Sequence, residues 1–287
     1  MNIWLNGAIV KEEEATISPF DHGYLYGLGV FETFRTYDGH PFLLGDHLER
    51  LHQSLEEMEI QFELKVEDAT RLVRELQTAN GGEDGYFRLN VSAGVRQVGL
   101  FPEPYEKPTV MLLQKTLPTQ LTGGKSGQWL STPRNTPETA TRLKSHHYFN
   151  NIAGRREIAN GVVIEGVFLT KEGYVAEGVT SNIFWVSQDC LYTPALSTGI
   201  LAGVTRKMVL AIAGDLGLSI KEGLYTKDTV MAADEVFVTN SVQEIVPIHS
   251  IEDSGFAGFD GKWTTAIHQR YRKYNHSLLR VEERSIL

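Results

Sequence analysis

The stretch GLGVFETFRTYDGHPFLL, residues 27–44, carries the reading of the fold. It reads as a β-hairpin turning at Asp38-Gly39, because an Asp-Gly pair accepts the positive backbone angles that a tight antiparallel turn demands. Phe31, Thr33 and Arg35 then share one face of its first strand. Upstream, NIWLNG followed by AIVKEEEATI reads as another hairpin, turning at Asn6-Gly7. Downstream, DHLERLHQSLEEMEI reads as a helix, since Leu48, Leu51, Leu55 and Met58 recur at helical spacing and Asp46 with Glu49 suits a capping box.

Residues 66–79 repeat the helical pattern, and GYFRLNVSAG and PTVMLLQKTL read as strands. The stretch 118–128, PTQLTGGKSGQ, loses all periodicity and holds three glycines. It reads as a linker between a smaller domain, 1–117, and a larger one, 129–287. In the larger domain a strand is expected near 129–133 and a helix at about 148–160. The strands GVVIEGVFLT, YVAEGV, SNIFWVS and CLYTP follow, then the helix VTRKMVLAIAGDLG. A short helix near 227–233, the strand EVFVTNSV and a helix near 262–279 complete it. Strands and helices do not alternate as a doubly wound sheet requires, so the fold class is α+β, in two lobes with mainly antiparallel sheets.

A chain of 287 residues, 41% of them apolar, can bury a proper core. The net charge of −9 argues against nucleic acid or an anionic membrane as a general partner, because either needs a basic surface. One cysteine, Cys190, allows no internal disulfide and fits a reducing, cytoplasmic setting. No leader-like N-terminus and no membrane-length apolar run stands out.

Five places could carry chemistry, and each has an ordinary structural explanation beside it. Lys144, in TRLKSHHYFNN, is a solvated lysine or an amine held for covalent work. A metal site built from His146, His147 and His22 is not expected, since adjacent strand residues face opposite ways and no ligand-spaced motif supports it. Glu177, in GYVAEGVTSNIFWV, is an edge carboxylate or the partner of a protonated ring nitrogen. Gly203 and Thr205 open a helix, either as plain capping or as an anion site. Arg50 lies beside the apolar stripe of its helix and could reach inward. Asn240 and Ser241 end an apolar strand with polar groups, or simply turn.

In order and spacing, these segments resemble one family, the fold-type IV pyridoxal-phosphate enzymes. Its members include branched-chain aminotransferases, D-amino-acid aminotransferases and aminodeoxychorismate lyases. DHGYLYGLGVFETFR, HLERL, RLKSHHYFNN, EGVFLTKEGYVAEGVTSNIFWV, TPALSTGILAGVTR and ADEVFVTNSVQEIVPI carry the likeness across nearly the whole chain. The resemblance implies a two-lobed fold with the cofactor, pyridoxal 5′-phosphate, between the lobes, and a homodimer. It makes Lys144 the covalent anchor of the cofactor and Glu177 the acid on its pyridine nitrogen. Arg50, Val204, Thr205 and Ser241, with Asn240 near, would bind the phosphate, Leu201 would lie in the cofactor site, and Tyr148 would touch the phenolic oxygen.

Within the family, SPFDHGYLYGLGVFETFR together with RLKSHHY looks most like the aminodeoxychorismate lyases. These enzymes convert 4-amino-4-deoxychorismate to 4-aminobenzoate and pyruvate in folate synthesis. D-amino-acid aminotransferases carry a tyrosine at the position of Phe31 and an Arg-x-His pair soon after the strand at 86–93. Here that segment reads GVRQVGLFP, without the histidine. The lyase's substrate has two carboxylates, so Arg88 and Arg96 become candidates to bind them, with Phe31 and Thr33 lining the ring pocket. An aminotransferase for branched-chain or D-amino acids, using the same Lys144 and Glu177, is the competing expectation.

Overall fold

The computed structural model describes residues 1–119, 123–159 and 163–286. The chain forms two compact units. The first gathers Met1–Leu117, Leu143–His147 and Asn275–Leu287, and the second Pro118–Arg142 and Tyr148–Tyr274.

The first unit runs β1 (Asn2–Leu5), β2 (Ala8–Lys11), α1 (His22–Tyr26), β3 (Gly29–Tyr37), β4 (His40–Pro41), α2 (Leu44–Glu57), α3 (Val66–Ala79), β5 (Gly85–Ser92) and β6 (Thr109–Thr116). Its six strands form one antiparallel sheet in the order β2-β1-β6-β5-β3-β4. Both tight turns fall where the Asn-Gly and Asp-Gly pairs placed them. Asn6, Gly7, Asp38 and Gly39 all have positive φ. Alternation decides which face is dry. Val30 and Phe34 of β3 and Phe87, Leu89 and Val91 of β5 are buried together with Leu44, Leu48, Leu51 and Leu55 of α2 and Leu72, Val73 and Leu76 of α3. The opposite face carries Phe31, Thr33, Arg88 and Asn90, with Phe31 paired to Asn90 and Thr33 to Arg88.

One local expectation fails. α2 has no capping box, for its N-cap is Leu43 in the left-handed region, without a side-chain cap. Asp46 instead accepts a hydrogen bond from Val281 N at 2.7 Å, and Glu49 pairs with Arg280. The returning C-terminal segment has recruited both acids.

The second unit comprises β7 (Lys125–Trp129), α4 (Phe149–Arg156), β8 (Ile164–Leu169), β9 (Val175–Gly178), β10 (Asn182–Ser187), β11 (Cys190–Pro194), α5 (Val204–Asp215), β12 (Ser219–Gly223), α6 (Lys227–Met231), β13 (Glu235–Asn240), β14 (Glu244–Ile251), β15 (Ser254–Gly255) and α7 (Lys262–Tyr274). Its sheet runs β12-β11-β10-β13-β14-β7-β8-β9, with β15 on β14. Most pairings are antiparallel, but β11/β12, β14/β7 and β7/β8 are parallel. Ile183, Trp185, Val236, Val238, Val246 and Ile248 form the main core, and Leu130, Ile158, Phe168 and Ala176 a smaller one.

The chain departs from the two-domain expectation in three ways. β7 begins at Lys125, inside the stretch read as a linker, of which residues 120–122 lie outside the described residues. Leu143–His147, with Lys144, groups with the first unit because it pairs beside β3. The segment from Asn275 also groups there, because Leu278 O and Leu279 O accept hydrogen bonds from Leu43 N and Gly45 N at the start of α2.

Candidate active site

In the first unit, Lys144 is positioned by backbone pairing. Phe31 N donates to Lys144 O at 2.8 Å, and His146 N donates to Gly29 O at 2.9 Å. This short bridge holds the half-buried Lys144 along the start of β3. Its Nζ lies 4.7 Å from the centroid of the Phe31 ring. The guanidinium carbon of Arg88 is 3.6 Å from the same centroid, and Arg88 Nε donates to Asn90 Oδ1 at 3.0 Å. Lys144, Phe31, Thr33 and Arg88 are thus brought to one neighbourhood, on the face of the sheet away from the helices.

Arg50 does reach inward from α2, onto Glu32. Its Nε and Nη2 donate to the two carboxylate oxygens at 2.7 and 2.6 Å, and His47 Nδ1 lies 2.7 Å from Oε2. Glu32 is buried among the core residues of β3, where an unpaired carboxylate is costly. Burial works to raise its pKa, yet Arg50 and His47 hold it down at about 2. Burial pushes the pKa of His47 below its ordinary value against the pull of Glu32. Arg96 is engaged elsewhere. It donates to the backbone and the carboxylate of Glu103, each at 2.8 Å, so it is a weaker substrate candidate than Arg88.

In the second unit, Glu177 lies on β9 between Ala176 and Gly178 and is buried. Arg134 Nε and Nη2 approach its Oε1 at 2.9 and 2.8 Å, and Arg142 Nε lies 3.8 Å away. On Oε2 it accepts from Leu201 N at 3.0 Å and Asn182 Nδ2 at 3.3 Å. Arg134 is itself fixed by Asn150 and Asn151 and stacks over Phe168. Burial, and then the charge of Arg134, pull Arg142 down to about 10. The result is a buried carboxylate set in fixed geometry by two cations, one amide and one backbone N–H.

α5 begins beside this cage. Gly203 is its N-cap and offers no side chain, so the first N–H groups of the helix keep the character of an anion site. The space explains the glycine, because a Cβ at 203 would stand 2.1 Å from Asn182 Oδ1. Val204 is the first helical residue, and Thr205 Oγ1 lies 3.3 Å from Ser241 Oγ. Asn240 is committed to the turn, its Oδ1 accepting from Val242 N and Gln243 N at 3.0 and 2.7 Å. Tyr148 is the N-cap of α4.

Sequence reasoning missed Arg134 and Arg142. They lie in a segment without periodicity, and nothing local marks either as the partner of a carboxylate on another strand. The three histidines do not gather. His22 is buried between Tyr105 Oη and Gln97 O, while His146 and His147 lie against Gly29 and Gly27. Among the described residues no group of three or more His, Cys, Asp or Glu could hold a metal ion.

The first unit thus carries a lysine over an aromatic ring, and the second a buried carboxylate caged by cations. The Amino-transferase class IV family profile matches residues 29–251, and the chain belongs to that family. It is 46% identical to the aminodeoxychorismate lyase of Bacillus subtilis (strain 168), over 94% of each chain. Among solved structures, the branched-chain aminotransferase of Thermoproteus uzoniensis with norvaline is 32% identical, covering 96% of this chain and 95% of that one at a TM-score of 0.87. The T.th. branched-chain amino acid aminotransferase complexed with N-(5′-phosphopyridoxyl)-L-glutamate matches at 28% identity and a TM-score of 0.85, over 99% and 96% of the two chains.

Proposed function

We propose that this protein is a pyridoxal-phosphate-dependent aminodeoxychorismate lyase, releasing 4-aminobenzoate and pyruvate from 4-amino-4-deoxychorismate. The observation that carries the lyase over its sister activities is the 46% likeness to the Bacillus subtilis enzyme across nearly the full chain. The residues present suit the cofactor. The uncapped start of α5, with the hydroxyls of Thr205 and Ser241, offers N–H and O–H donors to a phosphate. The buried carboxylate of Glu177, held in place by Arg134, Asn182 Nδ2 and Leu201 N, suits a protonated ring nitrogen. Leu201 and Val204 border that carboxylate and the helix start; Tyr148 is assigned to the phenolic oxygen and Arg50 to the phosphate, Arg50 while its Nε and Nη2 stay on Glu32. Asn240 shapes the turn that presents Ser241.

When bound, pyridoxal phosphate supplies the sink for the electron pair left by C–H cleavage. Lys144 anchors it and, as an uncharged amine, takes the proton from C4 of the substrate. The C3–O bond to the enolpyruvyl group breaks and the ring becomes aromatic. Lys144 then returns the proton to the departing enolpyruvate, which leaves as pyruvate. Arg88 binds a substrate carboxylate beside the Phe31 ring, with Thr33 on the same face.

The decisive test is a coupled assay of pyruvate release from aminodeoxychorismate, beside a transamination assay with leucine or D-alanine and 2-oxoglutarate. Pyruvate release is expected to dominate, and fast transamination without 4-aminobenzoate would replace the lyase with an aminotransferase. Borohydride reduction should fix the cofactor to Lys144, and Lys144→Ala should abolish both the adduct and the reaction.

We also propose a cytoplasmic homodimer. Phe20, Tyr24, Val95, Val98 and Leu100 are exposed apolar residues on two first-unit segments bonded to each other through His22 N to Gly94 O and Arg96 N to Phe20 O. Exposed apolar residues on neighbouring segments are suited to a second copy. Sedimentation should give twice the chain mass, and Leu100→Glu should shift it towards one. The lone, buried Cys190 supports a reducing compartment.

A further inference from the structure

Among the described residues, two of the buried polar atoms left without a hydrogen-bond partner lie against Phe31 on the open face of the first-unit sheet. They are Asn90 Nδ2 and His146 Nε2. Neither is a remote accident of packing. Asn90 stands directly opposite Phe31 in the β3/β5 register and is only 8% exposed. The His146 ring stacks on Phe31, with centroids 6.4 Å apart and planes 25° from parallel. His146 also crowds Gly29 so closely that a Cβ there would come within 2.6 Å of the imidazole. Both groups therefore border the ring that Lys144 and Arg88 approach.

The amide orientation of Asn90 is fixed by chemistry. Arg88 Nε can only donate, so the Asn90 atom that receives it at 3.0 Å is the oxygen, and the atom left over is the NH₂. His146 is a neutral ring over the physiological range. Burial, followed by the charge of Arg88, pulls its pKa down to about 4, against the opposing pull of Asp21. A neutral imidazole can present Nε2–H as a donor. Burying a donor with nothing to receive it sacrifices its hydration for no return, so native proteins rarely leave two side by side. His146 further lines a cavity of about 410 Å³ together with Ser92, which follows Asn90 on the same face of β5.

We propose that Asn90 and His146 are substrate-binding residues that, with Arg88, form a three-sided donor site for a carboxylate. One guanidinium and two neutral N–H donors match the charge and the lone pairs of that group. The proposal rests on the lyase reading for its choice of substrate. Besides the amine, which the product keeps, aminodeoxychorismate offers two carboxylates and one ether oxygen, all acceptors, so an orphaned donor is the complement it needs. The substrate's ring carboxylate and its enolpyruvyl carboxylate share this chemistry, and the experiment separates them.

The test uses the holoenzyme and three variants, Asn90→Leu, His146→Phe and His146→Gln. For Asn90→Leu and His146→Phe, KM for aminodeoxychorismate should rise about 10–100-fold with kcat changed less than about threefold, as for loss of a hydrogen bond to a charged group. His146→Gln, which restores an N–H donor, should recover most of the loss. Calorimetric titration supplies a readout that does not depend on turnover or on intact catalysis. If the ring carboxylate is held, wild type binds 4-aminobenzoate more tightly than aniline, and both apolar variants erase that difference. If the enolpyruvyl carboxylate is held, the variants weaken pyruvate instead. Unchanged KM and unchanged binding of both ligands in folded variants would overturn the assignment. A wild type that releases no pyruvate would defeat the lyase reading, while the titrations would still decide whether the cluster binds carboxylates.

Discussion

Glu32 shows how one residue can tie chemistry to stability. It sits on the dry face of β3, between Phe31 and Thr33 on the open face, and only Arg50 and His47 make its burial tolerable. Its pKa of about 2 against an ordinary 4.5 corresponds to about 3 kcal/mol of stability. The sign follows from the direction. A depressed carboxyl stabilises the fold fully above its unfolded value, and the contribution is lost as pH falls from about 4.5 to about 2. Urea midpoints measured from pH 7 down to pH 2 should therefore fall more steeply for wild type than for Glu32→Gln, which lacks the contribution throughout. Parallel curves would show that the triad does not act this way. His146 gives a second prediction at this scale. Its pKa of about 4 means that it does not titrate near neutrality. The pH profile of KM between 6 and 8 should then keep the same shape in His146→Gln, and an inflection lost only in that variant would contradict it. Lys144 and Glu177 could be singled out in the sequence because the motifs around them are long and ordered, and their roles belong to the proposed function. Arg134 could not be, because a guanidinium's partner across a sheet leaves no local trace.

At the scale of elements, periodicity was informative where an element buries one stripe and poor where tertiary neighbours decide. α2, α3 and α5 followed their spacing, and the hairpins followed their Asn-Gly and Asp-Gly turns. β14 escaped notice because Pro247 lies inside it, and proline normally argues against an interior strand. β12 is an exposed edge strand with Lys221 and Glu222, and so lacks a buried stripe to announce it. β7 was misplaced because it contains Gly127, chosen for the nearness of Ile251 and not for strand propensity. The α5 start carries the prediction at this scale. Gly203→Ala would drive a Cβ into Asn182, which also holds Glu177 and the Leu201 carbonyl. Overpacking of this kind costs about 1–3 kcal/mol. The variant should melt lower and release pyridoxal phosphate at about tenfold lower dilution in absorbance titrations. In an Asn182→Ala background the same substitution should cost less, because the clash is gone. An equal penalty in both backgrounds would point to the helix start itself.

For the molecule as a whole, the consequential difference from the sequence reading is where the chain ends up. A domain boundary drawn from composition assumes that each unit is one continuous stretch. The first unit instead recovers Asn275–Leu287 after the second is complete. No periodicity in NHSLLRVEERSIL signals this, since its anchors are scattered. Leu43 N donates to Leu278 O at 3.0 Å and Gly45 N to Leu279 O at 2.8 Å, while Val281 N satisfies Asp46. Leu278 and Val281 are buried. The start of α2, which lacks a side-chain cap, is thereby completed by residues more than two hundred positions away. Truncation before Asn275 should therefore weaken the first unit, although every residue removed lies at the far end of the chain. Leu278→Ala alone should cost about 2–5 kcal/mol, as for other fully buried leucines. Trp4 is the first unit's only tryptophan, with Trp129, Trp185 and Trp263 in the second, so fluorescence can assign the damage. In urea, the Leu278→Ala protein should lose the Trp4 signal first, and a Trp4→Phe background should remove that early change while the later one persists. An early transition that survives in the Trp4→Phe background would mean that the segment supports the second unit instead.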